Sequence, residues 1–121
     1  MSNRLCLIVL MASILCTADL SSAQDAVAVS PEIYTVLFEN DDIRVMELTY
    51  QPGERDAPHS HPKYTVLVLE AGTLRVHPQE GEAQDIVVQR GQTSLLDPVE
   101  RHWAENVGET IVRAVAVEFK H

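Results

Sequence analysis

Cysteine is nearly absent. Of 121 residues only Cys6 and Cys16 are cysteines, and both lie near the N-terminal end. No disulfide framework can hold the rest of the chain, so packing or a metal must do so. Five glycines, six prolines and an apolar content of 45% argue against collagen, repeat arrays and wholesale disorder. Positive charge is also short, with 9 Lys and Arg against 18 Asp and Glu and a net charge of −9. That balance argues against a nucleic-acid backbone or an anionic membrane surface as partner; its simplest meaning is solubility. No run is long enough to cross a membrane. The longest uncharged apolar stretch, residues 5–15, has 11 residues where a spanning helix needs about 20.

That short run fits a secretory signal peptide. Residues 1–4 are polar with one positive charge, residues 5–15 are apolar, and Ser21 and Ala23 supply the small residues of an A-x-A-like cleavage site. Residues 1–23 are therefore expected to be cleaved, with the mature chain starting at Gln24 and the protein periplasmic or secreted. A buried core helix is the competing reading, and it leaves this order of charge, apolar run and small residues unexplained. Leu15 before Cys16 argues against a lipoprotein. Removing 23 of 121 residues leaves 98 and takes both cysteines; the net charge stays at −9 because Arg4 and Asp19 go together. A chain of that size buries enough surface for a core without staples.

Residues 24–32 are small and polar and read as a flexible lead-in, with 33–121 as one domain. From Ile33 onward no stretch has a sustained helical period. Apolar residues come in short runs at 34–38, 43–50, 64–69, 73–77, 85–89, 93–96, 102–107 and 110–119, separated by turn signals such as Asn40-Asp41-Asp42, Pro52-Gly53 and Arg90-Gly91. Eight or more short strands with turns every 8–12 residues predict an all-β sandwich or small barrel. Periodicity alone does not choose a jelly-roll barrel over an immunoglobulin-like sandwich.

Five histidines occur: His59, His61, His77, His102 and His121. His59 and His61 are two apart, and on a strand residues i and i+2 share a face. Two imidazoles side by side can grip a borderline metal ion, although H-x-H alone is a weak signal and also fits solvated surface residues. Its surroundings add weight. Gly53 stands six residues before His59, and Gly72 eleven after His61. Gly91 stands eleven before His102, and Asn106 four after it.

These two blocks resemble the two motifs of the cupin family. Gly53, His59, His61 and Gly72 match the first, G-x5-H-x-H-x3,4-E-x6-G. Gly91, His102 and Asn106 match the second, G-x5-P-x-G-x2-H-x3-N. Three positions depart: Thr65 replaces the family's glutamate ligand, Asp97 takes the proline's place with Pro98 one residue late, and Val99 replaces the second glycine. The resemblance covers about residues 34–119. It implies an all-β cupin-type double-stranded β-helix, a jelly-roll barrel of two antiparallel sheets. His59, His61 and His102 would then aim into the lumen as a three-histidine site for a divalent transition metal (Fe, Mn, Zn, Ni or Cu). Such a site keeps open positions and the metal's full charge, which favours a small anionic or chelating molecule. Some cupin dioxygenases, acting on a thiol amino acid or a β-diketone, have three-histidine sites. Cupins commonly form dimers, so a homodimer is a compatible assembly, but no surface is selected.

Thr65 shares the parity of His59 and His61. It is expected in the lumen, hydrogen-bonding a water on the metal. Asn106 is expected to tie down the turn after His102. Lys63 has the same parity and is a candidate for meeting a substrate carboxylate, although Pro62 can break the alternation and a solvated loop lysine is the simpler reading. Tyr64 and Trp103 have the opposite parity and read as packing or subunit contacts. Arg75, His77 and His121 read as surface residues. Function divides two ways: a metal-dependent enzyme of the oxygenase type acting on a small molecule, or a non-catalytic metal- or ligand-binding module. No residue beside the histidines stands out as a general base, and no catalytic residue is assigned.

Overall fold

The computed structural model describes residues 25–121, so the expected signal peptide and cleavage point lie outside the described residues. One helical turn, α1 (Ala26–Val29), precedes nine strands: β1 (Tyr34–Glu39), β2 (Ile43–Tyr50), β3 (His59–His61), β4 (Tyr64–Glu70), β5 (Gly72–Pro78), β6 (Gln84–Val88), β7 (Thr93–Leu96), β8 (Val99–Asn106) and β9 (Val112–Phe119). They form a five-stranded sheet in the order β1-β2-β9-β4-β7 and a four-stranded sheet in the order β3-β8-β5-β6. Every pairing between these strands is antiparallel. This is the jelly-roll barrel that the histidine blocks imply.

The faces follow from alternation. β9 alternates buried and half-buried residues along its whole length, with Val112, Ala114, Ala116 and Glu118 inward. β2 is in register beside it, so Tyr50, Leu48, Met46 and Arg44 lie opposite those four residues. The two alanines take little volume at the centre of the larger sheet and leave room between the layers. Met46, Ile33, Tyr34 and Tyr50 form the core with them. Gly53 and Gly91 have φ of +84° and +83°, the left-handed conformation that disfavours any side chain, so both motif glycines serve their turns.

The lead-in is not flexible where it is described. Asp25 forms a parallel bridge with Ser60, between the two histidines of β3. Its carboxylate also takes a bidentate pair of hydrogen bonds from Arg44, at 2.6 and 2.9 Å. Ala26 and Ser30 are fully buried, and the Ser30 hydroxyl accepts the Ala57 amide at 2.8 Å. Small residues and few large apolar groups suggested mobility. The segment is fixed instead by specific polar partners far along the chain, which composition does not show. The strand containing His102 also starts earlier than expected, at Val99, because its first residues pair with β3.

Candidate metal centre

β3 presents His59 and His61 from one short strand, both buried. Its register against β8 sets His59 opposite His102 and His61 opposite Val99, with a shift between them. Ring centroids are 4.6 Å apart for His59 and His61, 4.7 Å for His59 and His102, and 5.3 Å for His61 and His102. The three ligand-capable nitrogens lie within 4.8 Å of one another.

Hydrogen bonds decide which nitrogens are free. His59 Nδ1 lies 2.7 Å from the Ala57 carbonyl, which can only accept, so Nδ1 carries the proton. His61 Nδ1 lies 2.8 Å from Glu118 Oε2. Burial works to raise the Glu118 carboxyl, but its bonds from His61 and Arg44 outweigh burial and hold it below the usual range. It is therefore ionised, and His61 Nδ1 is the donor. Both Nε2 atoms therefore turn to the inner side of their rings, where they face each other at 2.9 Å. The Tyr34 hydroxyl is 3.3 Å from His59 Nε2, but its one proton goes to Asp56 Oδ2 at 2.8 Å. A contact this short needs a cation between the two nitrogens, either a shared proton or a metal ion. Metal–nitrogen bonds of about 2.1 Å meeting near a right angle hold their nitrogens about 3 Å apart, so the donor set fits a transition ion. Burial, then His59 and His61, press the pKa of His102 down to about 3, so it is neutral at pH 7. Burial likewise lowers His59, although Asp56 partly offsets it.

Behind the histidines stand two carboxylates. Glu118, 3% exposed, accepts from His61 and from Arg44 Nε at 2.8 Å. Arg44 then reaches Asp25, and that bond is the main reason the Asp25 carboxyl is held low. Asp56, also 3% exposed, accepts the Tyr34 and Tyr50 hydroxyls at 2.8 and 2.5 Å and the Ala104 amide at 2.7 Å. Its Oδ2 lies 3.7 Å from His59 Nδ1. Burial, reinforced by Asp56, raises both tyrosines well above the ordinary range, so they stay protonated.

Thr65 does not face this site. Pro62 and Lys63 lie outside strand geometry between β3 and β4, which resets the alternation. Tyr64, Val66 and Val68 line the lumen, and Thr65 takes the outward parity opposite Val117. The Tyr64 ring packs on His61 at 4.5 Å. Lys63 is likewise misplaced as a substrate contact: its side chain is exposed in the bend, and its carbonyl accepts the Phe119 amide. Asn106 does brace backbone. Its Nδ2 donates to the Tyr50 and Thr110 carbonyls at 3.0 and 2.7 Å, and its Oδ1 accepts the Gly108 amide at 3.0 Å. His77 stacks on Trp103 at 3.6 Å and bonds Glu105 at 3.0 Å, away from the triad. Arg75 pairs with Asp85 on the surface, and His121 is exposed.

From the triad a cavity of about 220 Å³ extends along the lumen. Beyond the histidines and tyrosines its walls are aliphatic, chiefly Leu48, Val66, Val68, Leu74, Val76 and Val112. Ile86 and Leu96 line it and are 42% and 36% exposed, so it meets solvent along the seam between the edge strands β6 and β7.

Sequence reasoning passed over Tyr34, Asp56, Arg44 and Glu118. Two carried a signal. Arg44 shares the parity of Met46 and Tyr50, and Glu118 that of Ala114 and Ala116; a charge on an apolar stripe needs a buried partner. Asp56 and Tyr34 carried none.

The comparisons with known proteins agree with this architecture. A cupin domain from Bordetella pertussis Tohama I superposes with a TM-score of 0.69 at 27% identity, over 74% of this chain and 93% of that one. A conserved Klebsiella pneumoniae protein with a double-stranded β-helix domain gives 0.60 at 27% identity, over 73% and 76%. An RmlC-like cupin family protein from Methanocaldococcus jannaschii, 13% identical, shares the fold with a TM-score of 0.60 over 74% and 80%. Among curated proteins nothing matches. The family model described as the cupin domain matches residues 46–118, from the core methionine of β2 to the carboxylate behind His61. The chain belongs to the cupin domain family.

Proposed function

We propose that His59, His61 and His102 hold a divalent transition metal, and that the chain is a metal-dependent enzyme of the oxygenase type acting on a small chelating molecule in the lumen. One observation carries the metal assignment: His59, His61 and His102 bring three ligand-capable nitrogens within 4.8 Å of one another, with the Nδ1 atoms of His59 and His61 held by Ala57 and Glu118 so that both Nε2 atoms turn inward. The ion would supply Lewis acidity and, if redox active, dioxygen binding. The chain's own residues orient and insulate. Glu118 locks the His61 tautomer and offsets part of the ion's charge. Asp56 fixes the Tyr34 hydroxyl so that its oxygen lone pairs, not its proton, face His59. The aliphatic walls keep water from the reacting end.

A non-catalytic ligand carrier is the second reading. It is favoured by the occupied state of Asp56, a lumen-lining carboxylate that already accepts three hydrogen bonds and is not free to take a proton from a substrate. Oxygen uptake by protein loaded with iron, manganese or copper, over a panel of thiols, diketones and short carboxylates, separates the two. Turnover is expected with a chelating member of the panel. Binding without uptake across all metals would favour the carrier. Export belongs to this proposal and is supported by the leader residues; an intact Met1 on mature protein would remove it.

A further inference from the structure

The sequence left the ligand as anionic or chelating, and the lumen distinguishes these. No lysine or arginine is among the described residues that line the cavity. Arg44, which pairs with the carboxylate behind His61, is consumed by Asp25 and Glu118, and Lys63 lies outside. Among the described residues Asp56 is the one carboxylate in the wall, and it already accepts three hydrogen bonds. A polyanionic substrate would therefore find one cation, the metal, and then a low-dielectric wall that penalises every remaining charge. The wall's shape and polarity fit carbon. An apolar cavity of about 150 Å³ takes a benzene ring, and this one is about 220 Å³. Its route to solvent is flanked by Ile86 and Leu96, so an apolar group meets matching surface on entry as well.

We propose that the lumen takes a molecule with one bidentate oxygen head, which goes to the metal, and an uncharged aliphatic or aromatic body of about six to eight carbons, which lies against Leu48, Val66, Val68, Leu74, Val76 and Val112. The head rests on the metal reading given above; the body rests on the cavity alone. Ser94 and Gln92 are polar residues of the wall that could meet a hydrogen-bonding group along the body.

The test uses cobalt-loaded protein and a series of hydroxamates, which chelate through two oxygens. Lengthening the tail from acetohydroxamate to hexanohydroxamate should tighten binding at each step, by up to roughly fourfold per methylene, and by at least about tenfold over the series. A tail of the same length ending in a carboxylate should fall back to the level of acetohydroxamate or below. Ala114→Leu, which narrows the cavity remote from the histidines, should flatten the series for the longest tails while cobalt content stays at the wild-type value. A flat series, or a preference for the carboxylate-ended tail, in protein that holds cobalt overturns the apolar body and leaves the metal reading standing. Protein that takes up no cobalt, judged by elemental analysis and by its visible absorption, overturns the metal reading and the proposal with it.

Discussion

At the triad end of the lumen His59, His61, Tyr34, Tyr50, Asp56 and Glu118 all have hydrogen-bond partners at 3.3 Å or less. Further along the lumen, on β4 and β5, Val66, Val68, Leu74 and Val76 enclose space and make no polar contact with one another. At the first end these six residues each have a partner, and the three histidines bring ligand-capable nitrogens within 4.8 Å of one another. At the second end nothing is assigned, and only volume and the absence of charge select what enters. Under the proposed function a single barrel would separate the group that binds the ion from the surface that sorts ligands, so that each could change with little effect on the other.

The strongest way to break the contrast is to remove a ligand. Changing a residue that only orients a ligand costs about 10–100-fold in metal affinity. His102→Ala should therefore lower zinc affinity by more than about 100-fold, read by titration calorimetry, with the barrel's circular dichroism unchanged. Next comes Glu118→Ala. It leaves Arg44 half-paired and His61 Nδ1 without its acceptor in a buried site, so a loss of about 3–5 kcal/mol is expected in urea unfolding. Glu118→Gln keeps an acceptor for His61 and should lose less stability while still weakening the metal.

Acid should act on the same end. In metal-free protein His102 stays neutral down to a pKa of about 3, against 6.5 when unfolded. Between those values the unfolded chain binds the extra proton, so stability is complete above pH 6.5 and falls as the pH drops toward 3. The slope is at most about 1.4 kcal/mol per pH unit for one histidine. His59 is lowered too and adds in the same direction. Unfolding at pH 7.5 and pH 5 should show the fall, and His102→Ala should shrink it. Tyr34→Phe should cost about 1 kcal/mol, since Asp56 keeps its bonds from Tyr50 and Ala104. The smallest effect belongs to Thr65. Because it faces outward, Thr65→Glu should leave metal affinity at the wild-type value. A gain in manganese affinity would return that residue to the lumen.

The architecture was legible because strand patterning survives without partners: the runs at 43–50 and 93–96 coincide with β2 and β7. The triad was legible through the likeness of its two blocks to the cupin motifs, since H-x-H alone is a weak signal. Thr65 was misread because parity was counted through Pro62 and Lys63 as if the strand were continuous, and two residues outside extended geometry reverse every later assignment. Asp56 and Tyr34 could not be read, because a loop carboxylate and a strand tyrosine gain meaning only from the fold that brings them together. Arg44 and Glu118 were readable as charges on apolar stripes. Their partnership depends on the register between β2 and β9, which no local pattern specifies.

The position of β9 has a consequence for how the molecule is made. This strand is the last in sequence among the described residues, yet it lies in the middle of the larger sheet, between β2 and β4. A ribosome delivers the chain from its N-terminal end, so β1 to β8 emerge without the strand that joins β2 to β4. Closing the sheet requires contacts between residues some seventy positions apart, such as Arg44 with Glu118, and such distant pairing makes for slow folding. Until residues 112–119 arrive, His61 lacks the carboxylate that fixes its tautomer. The three-histidine site is therefore completed only once β9 has emerged, rather than by the two strands that carry its histidines.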